Sequence, residues 1–398
     1  MASRSPRTTI FLLLLAVSLP FVCGCTDYGG QGVEQWSSDI PGGEAGDAVF
    51  NTPVQSAFTG EDESGTGFAL QRIQPVMDGA AATEPRMFPV KFETREYEID
   101  IDVNRSVYEG ARTVDKALPA EYWYDEYRML GYYSSFIGDP AIVTFLDDVL
   151  SPLERIRRSD NLNDEEFLEL MVTFVQQIPY DSGAPVYPRY PVEVIYDGKG
   201  DCDEKSLLLL GMLSRAGYDA ALLLFPEMHH ATAGIRISTN GNPPFRTFTT
   251  SKNEKYFYIE TTVPTYIGLY SENYEDAEAF VVPLGNGEKR FTRVNYVCHI
   301  TESYQKIADR LVFMEATMAE WKQEIEDMKS DLQYGTYDTQ DAWDDDYASY
   351  TALVGDYNSY VEKYRKYAEI YVYIRDRPYD IAGVYRRIEN SNVMDITI

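Results

Sequence analysis

Three side chains in this sequence have the types and the order of a nucleophilic acyl-transfer centre. Cys202 stands in Gly200-Asp201-Cys202 at the head of an apolar, helix-like run; His229 and His230 come next, and Tyr258-Ile259-Glu260-Thr261-Thr262 supplies a carboxylate. A thiol needs a base to remove its proton, and an imidazole acting as that base needs a partner that fixes its tautomer. Only three histidines occur in the 398 residues, so the base has few other sources. The adjacent pair compete, because side chains one apart near the start of a strand point to opposite faces and only one can meet Cys202. A helix N-terminus lowers a thiol pKa through its unpaired N–H groups. Asp201, Asp203 and Glu204 work against that unless they pair elsewhere. Glu260 shares a strand face with Tyr258 and Thr262, with Ile259 and Thr261 on the other, so its carboxylate is placed to accept the second imidazole N–H. Each residue also has an ordinary use: packing or capping for a histidine, a solvated surface for a glutamate, a disulfide for a cysteine.

The elements that must position these groups are legible on either side. Tyr97, Ile99, Ile101 and Val103 alternate with acids and predict a half-buried strand. Asn104-Arg105-Ser106 after it is a glycosylation pattern, which points to the surface. Asp139-Pro140 opens a helix through about Arg158. Asn163 or Asp164 caps a second one, with Phe167, Leu170, Met171, Phe174 and Val175 on one face. It stops at Gln177-Ile178, before Pro179. A loop rich in proline, tyrosine and glycine runs from Asp181 to Asp201. The helix after Cys202 carries Leu207, Leu208, Leu210 and Leu213 nearly all round and ends at Gly217, so it is expected to be central and buried. Strands are expected at Ala220 to Phe225, Thr232 to Ile237 and Tyr256 to Thr262. Beyond Ile300, Tyr304, Ile307, Leu311, Met314, Met318, Trp321, Ile325, Met328 and Leu332 fall three or four apart. Tyr350, Val354, Tyr357, Val361, Tyr364, Ala368 and Tyr371 repeat the pattern, which predicts an antiparallel helical hairpin. Its tyrosine-rich seam serves packing or presents a face to an envelope protein partner.

The formal charge of −29 argues against nucleic acid or an anionic membrane surface as a partner. Arg4 and Arg7 followed by a short apolar stretch, Ile10 to Val22, read as an export signal over residues 1–24. The stretch ends in Val22-Cys23-Gly24-Cys25, which resembles a lipoprotein signal with Cys25 as the lipidated residue. Cys23 departs from that pattern; a simple cleaved signal or an uncleaved anchor are the alternatives. Either way the chain faces outward; in the Cys25 reading a lipid anchor alone holds it to the membrane. Residues 25–87 are rich in Gly, Ser, Ala and acids and read as a disordered tether. Of the two remaining cysteines, Cys202 heads a helix among polar residues and Cys298 lies in an apolar, strand-like run from Val294 to Ile300. A disulfide between them is not expected, although export permits one. A zinc site from Cys202, His230, Cys298 and His299 lacks the close ligand pairs such sites use, so neither a metal nor a cofactor is expected.

Tyr190-Pro191-Val192-Glu193, Gly200-Asp201-Cys202-Asp203, His230-Ala231-Thr232-Ala233-Gly234 and Tyr258-Ile259-Glu260-Thr261-Thr262 together resemble the transglutaminase-like superfamily. The likeness is nearer to its exported prokaryotic, often archaeal, members. Phe174-Val175-Gln176 and Ile178-Pro179-Tyr180 match the segment that precedes the cysteine loop there. The resemblance covers about residues 90 to 300. It implies an α+β, papain-like core in which a helix packs on an antiparallel sheet, with Cys202 as nucleophile, His230 as base and Glu260 as acid. His230 is preferred to His229 because the family places its histidine four residues before the glycine that stands here as Gly234. Glu260 replaces the commoner aspartate, and Gln176 is the expected extra oxyanion donor. The resulting expectation is an envelope-anchored cysteine hydrolase that cleaves peptide or isopeptide amides of a protein or peptide substrate. The alternatives are a protein-crosslinking acyl transferase and a non-catalytic binding or scaffolding module. The expected organisation is 88–300 for this domain, 301–376 for the hairpin and 377–398 for a C-terminal tail.

Overall fold

The computed structural model describes residues 68–76, 83–122, 125–238, 245–270, 274 and 276–391. The expected signal, Cys25 and most of the expected tether lie outside them. The alternation around Ile99 gives β2 (Arg95–Asn104), which pairs antiparallel with β1 (Thr83–Phe92) in the register Phe88↔Ile99. Ile99, Ile101 and Val103 are buried and the acids between them exposed, as a two-residue period requires. Asn104 ends β2 and caps α1 (Arg105–Thr113) by accepting from the Ser106 N–H.

Four helices then build one side of the core: α2 (Glu126–Gly138), α3 (Pro140–Asp160), α4 (Asp164–Gln177) and the short α5 (Pro191–Asp197). Asn163 starts α4 with a reciprocal cap, its side chain accepting from Glu165 and Glu166 while Glu166 accepts from the Asn163 N–H. The loop expected between Asp181 and Asp201 therefore contains a helix, α5. Its seven residues are too few for a helical period to show in sequence.

The helix headed by Cys202 is α6 (Cys202–Arg215), and every residue from Glu204 to Leu213 is buried. Gly211 lets it approach α3 closely, because a Cβ there would lie 2.8 Å from Leu146. One face of α6 packs on an antiparallel five-stranded sheet of order β5-β6-β4-β3-β7. Its strands are β3 (Ala220–Phe225), β4 (His230–Arg236), β5 (Phe248–Thr249), β6 (Lys255–Ile259) and β7 (Phe280–Pro283). β3 is buried on both faces, which explains its unbroken apolar run, Ala220 to Phe225.

The C-terminal region is helical: α7 (Val294–Tyr334), α8 (Gln340–Arg375) and α9 (Ile381–Ser391). Three expectations change here. The run Val294 to Ile300, read as strand-like, is the first two turns of α7, because its apolar residues are Val294, Val297, Cys298 and Ile300, at helical spacing. Residues 381–391 form a helix with Ile381, Val384 and Ile388 buried, not a tail. Residues 68–76 belong to the core: Phe68, Leu70 and Ile73 are buried, and the Ile73 N–H donates to Asp139 at 2.8 Å. The tyrosine seam is internal at its base. Tyr304 and Tyr371 stack 4.6 Å apart with their hydroxyls 2.6 Å apart, and Tyr266 of the sheet side donates to the Ile374 carbonyl at 2.8 Å. The base of the hairpin and the sheet region thus share one hydrophobic core. Cys202 and Cys298 are not joined to each other.

Glu169 of α4 holds this C-terminal region in place. Its Oε1 accepts from Arg293, just before α7, at 2.6 Å, and its Oε2 accepts from the Ile381 N–H that begins α9 at 3.1 Å. Burial pushes the Glu169 carboxyl up to about 7, with Arg293 pulling the other way. Replacing Glu169 by Ala leaves the half-buried Arg293 with Glu166 alone, at 3.0 Å, and removes the acceptor of the Ile381 N–H, a change expected to cost about 1–3 kcal/mol. Hydrogen exchange should then show 381–391 losing protection before the sheet does; equal loss in both would mean that Glu169 is not the tie.

Candidate functional site

Cys202 is the first residue of α6, and the turn that carries it is fixed from three sides. Asp201 caps α6: its Oδ1 accepts from the Glu204 N–H at 3.2 Å, and Glu204 Oε2 accepts from the Asp201 N–H at 3.0 Å. Glu204 is fully buried and forms a two-pronged pair with Arg189, both contacts 2.7 Å. Arg189 also reaches Asp181 at 2.8 Å and Asp197 at 2.9 Å, so one guanidinium collects both ends of the loop before Cys202. Behind the turn, the Cys202 carbonyl accepts from Ser206 at 2.5 Å and from Thr261 at 3.4 Å. Thr261 is the residue expected on the face opposite Glu260, and it is there, buried against α6.

His230 opens β4. The loop before it closes with His229 in the left-handed region (φ 48°) and exposed, which separates the two histidines: His229 faces solvent and His230 turns inward. The His230 Nε2 lies 3.0 Å from the Tyr258 hydroxyl, and that hydroxyl donates to Glu260 Oε2 at 2.9 Å. Glu260 Oε1 accepts from the backbone N–H and the hydroxyl of Thr262 at 2.8 and 2.6 Å. The expected imidazole–carboxylate contact is therefore relayed through a phenol. Tyr258 was legible only as a neighbour on the same face. Its role follows from the strand: two residues apart, its long side chain reaches past the Glu260 carboxylate to the ring on β4.

The relay also fixes the tautomer. A phenol has one proton, and Tyr258 gives it to Glu260, so toward His230 it can only accept. Nε2 then carries the imidazole hydrogen, and Nδ1 keeps the lone pair. Burial lowers the His230 pKa, opposed by the Glu260 charge, so the ring is neutral at rest and competent as a base.

The thiol differs from expectation. Burial, then the charges of Asp203 and Asp201, push its pKa far above the usual thiol value, against the N–H groups of Ala231 and Asp203, which lower it. The Ala231 N–H is adjacent to His230 in β4, which places the sulfur beside the start of that strand. Cys202 is half-buried, and at rest it is a thiol rather than a thiolate. Asp201 is pushed up to about 9 by burial and by its hydrogen bond and proximity to Asp203. The two carboxyls thus share a proton at neutral pH, which halves the negative charge next to the sulfur. The phenols of Tyr133, Tyr180 and Tyr274 lie close enough to feel a charge on Cys202, and the Tyr274 ring is 5.0 Å from that of His230.

Gln176 is not an oxyanion donor in this arrangement. Both hydrogens of its amide are committed, to the carbonyls of Glu260 at 2.9 Å and Thr265 at 3.0 Å. Buried at the end of α4, it anchors the segment after β6 instead. A trough of about 410 Å³ lies between β1 and the loop at Ile178 to Pro179, lined in part by Arg86, Phe88, Phe174 and Tyr196; Cys202, His230 and Glu260 do not line it. Its main polar groups are already paired, Arg86 with the Tyr196 carbonyl and Gln177 with the backbone of Lys91, so it offers no chemistry. Among the described residues no group of three or more His, Cys, Asp or Glu is placed to hold a metal ion. Cys25, the expected lipidation site, lies outside them. Comparison of the chain with protein-family models, with curated proteins and with solved structures finds no match.

The shared proton of Asp201 and Asp203 has a measurable consequence. A carboxyl whose folded pKa is raised favours the unfolded state increasingly as pH climbs from its unfolded value near 4 to its folded value near 9, and adds nothing further above that. Asp201→Asn keeps the cap acceptor and a donor toward Asp203 but cannot ionise. Its melting temperature relative to the parent should rise steadily between about pH 4 and 9 and then level off. A constant offset across that range would show that the two carboxyls do not share a proton.

Proposed function

We propose that this protein is a cysteine hydrolase of the transglutaminase-like type, with a papain-like core, acting on peptide or isopeptide amides through a thioester acyl-enzyme. The observation that carries the reading is the chain His230–Tyr258–Glu260, which leaves the Nδ1 lone pair of a half-buried, neutral imidazole free, one residue from the backbone N–H on which the Cys202 sulfur rests. The ordered motifs around Cys202, His230 and Glu260 support it independently.

With both thiol and imidazole neutral at rest, the proton leaves as the bond forms. His230 Nδ1 takes the Cys202 proton while the sulfur adds to the amide carbonyl carbon. The carbonyl electron pair moves to oxygen, where the backbone N–H of Cys202 at the head of α6 receives the developing charge. Collapse of this adduct breaks the C–N bond, and the imidazolium returns the proton to the departing amine. The imidazolium formed midway is stabilised through Tyr258 by the Glu260 charge. Water, deprotonated by the same imidazole, then cleaves the thioester and regenerates the thiol. An amine taking the place of that water gives crosslinking. The tyrosines around Cys202 provide apolar faces for the substrate chain.

The same reading places the chain outside the cell, tethered by lipid at Cys25; its support is the apolar stretch Ile10 to Val22 and the cysteine that follows. Among the described residues no helix is long and apolar enough to cross a membrane.

An activated ester of an acylated amino acid tests the chemistry. Intact mass should show one acyl group per chain, mapped to Cys202, released by water in the free protein and absent in Cys202→Ala. His230→Ala should slow acylation by about 10²–10⁴-fold, the range for loss of a general base, and Tyr258→Phe should slow it less. A labelled primary amine in the same assay distinguishes hydrolysis from acyl transfer. Equal ester turnover in Cys202→Ala would overturn the proposal.

A further inference from the structure

Lys205 lies one turn after Cys202 in α6 and is completely buried. Lysine is among the side chains least often found in that state, because its ammonium loses its hydration there. Its Nζ meets three backbone carbonyls: Ile178 at 2.7 Å, Gln176 at 3.3 Å and Thr262 at 3.4 Å. Two of these lie at the end of α4 and the third in the segment after β6, two residues beyond Glu260. An ammonium has three N–H groups for three acceptors, so the charged form satisfies the set and the neutral amine leaves one carbonyl short. A long apolar side chain would fill the volume and leave all three unpaired. Neighbouring contacts converge on the same segment: Gln176 donates to the carbonyls of Glu260 and Thr265, and Thr261 to that of Cys202. Lys205 is the side chain in this set that touches both the α4 exit and the Glu260 segment from the helix of the nucleophile.

We propose that Lys205 is a positioning residue that holds the Glu260–Thr262 segment at the distance from α6 at which Glu260, through Tyr258, orients His230. This deepens the cysteine-hydrolase reading and rests on it for its catalytic meaning. One feature accords with the role. Glu260 is the charged group that acts on Lys205 across the gap, and its attraction favours the ammonium, although burial still lowers the lysine to about 7. On its own helix the ionisable residues before it are Cys202, a neutral thiol, Asp203, which is hydrogen-bonded to Asp201, and Glu204, which is held by Arg189. From α4 Lys205 meets the carbonyl of Gln176, which does not titrate, and Glu260 is the one charge that acts on it from the segment after β6. The three carbonyls are therefore all satisfied below about pH 7, and one of them is left short above it.

The test uses the full-length chain with isotope-labelled histidine, and compares the parent, Lys205→Met and Lys205→Gln. Three quantities are read: the melting temperature, the NMR titration of the His230 ring, and the rate of Cys202 acylation by the activated ester. Lys205→Met should move the His230 titration and slow acylation by roughly 10²-fold, the scale of a small misplacement of a catalytic group. Lys205→Gln, which keeps two donors, should recover part of both. A folded Lys205→Met with an unchanged His230 titration overturns the proposal, whatever the acylation rate. A shifted titration in a protein whose Cys202 never acylates upholds the positioning role and removes the hydrolase reading instead. Should both variants fail to fold, the parent decides alone: the Lys205 Cε resonance and the His230 ring should change together near pH 7, and independent titrations would refute the coupling.

Discussion

The carboxylate of Glu204 is the constraint on which the rest of this site depends. It sits at the third position of α6 with no exposure, a placement that is unfavourable for a charge unless every lone pair is engaged. Here they are. Arg189 takes both oxygens, the Asp201 N–H takes one, and the Arg189 N–H another. Those bonds do two things at once. They start α6 at Cys202 rather than a residue earlier or later, and they pin the loop of 181–201 down on the helix. Because Arg189 also binds Asp181 and Asp197, the loop before the cysteine has a single way to lie. The position of the sulfur is thus set by a buried ion pair one turn below it, and not by contacts of the thiol itself.

A second set of bonds fixes the other half of the site to the same helix. The segment after β6 leaves the sheet at Ile259 and is no longer held by strand pairing, so Glu260 would be mobile without help. Thr261 binds the Cys202 carbonyl, Gln176 the carbonyls of Glu260 and Thr265, and Lys205 that of Thr262. The Glu260 segment and Cys202 are therefore tied to the same pair of helices, α4 and α6. His230 comes from the neighbouring strand, whose register Ala233↔Ile259 places Tyr258 and Glu260 alongside it. This is how a phenol comes to stand between imidazole and carboxylate: the ring on β4 is set by sheet register, and Glu260, beyond the strand end, falls short of it.

Much of this was legible in the sequence, and the parts that were not have physical reasons. Long periodic elements were read within a few residues: the helix from Pro140, the Asn163 cap, the buried helix after Cys202, the alternation about Ile99. The preference for His230 over His229 came from the family's spacing to Gly234; the structure leaves His229 exposed and sets His230 Nε2 3.0 Å from the Tyr258 hydroxyl. The first turns of α7 were misread because Val294 to Ile300 is apolar at both helical and strand spacings over so short a span. α9 and residues 68–76 were missed since each is short and becomes ordered only by packing against the remainder. Arg189 and Lys205 carried no signal, because a charged residue reads as surface until its partners, far off in sequence, are seen around it. Gln176 was assigned a donor role that its neighbours pre-empt, and no pattern in sequence reveals such competition.

The thiol pKa illustrates how magnitude decides between two opposed rules. A helix N-terminus stabilises an anion by about 0.3–1 kcal/mol at an exposed site and up to ~2 in a favourable one, roughly one pKa unit. Burial alone can move a group by as much as 3–5 units in the other direction, and a carboxylate next in sequence adds to it. Cys202 has both, and the anion loses. The motif that places acids on either side of the cysteine therefore does not make a stored thiolate. It makes a neutral pair, thiol and imidazole, and in the proposed mechanism the proton moves between them only as negative charge develops on the substrate. The shared proton of Asp201 and Asp203 acts in the same sense, since it removes one of the two charges that would otherwise oppose sulfur ionisation in the attack. A low thiolate population also slows attack by solvent oxidants, which need the anion, and that suits a cysteine that is half-buried and has no disulfide partner.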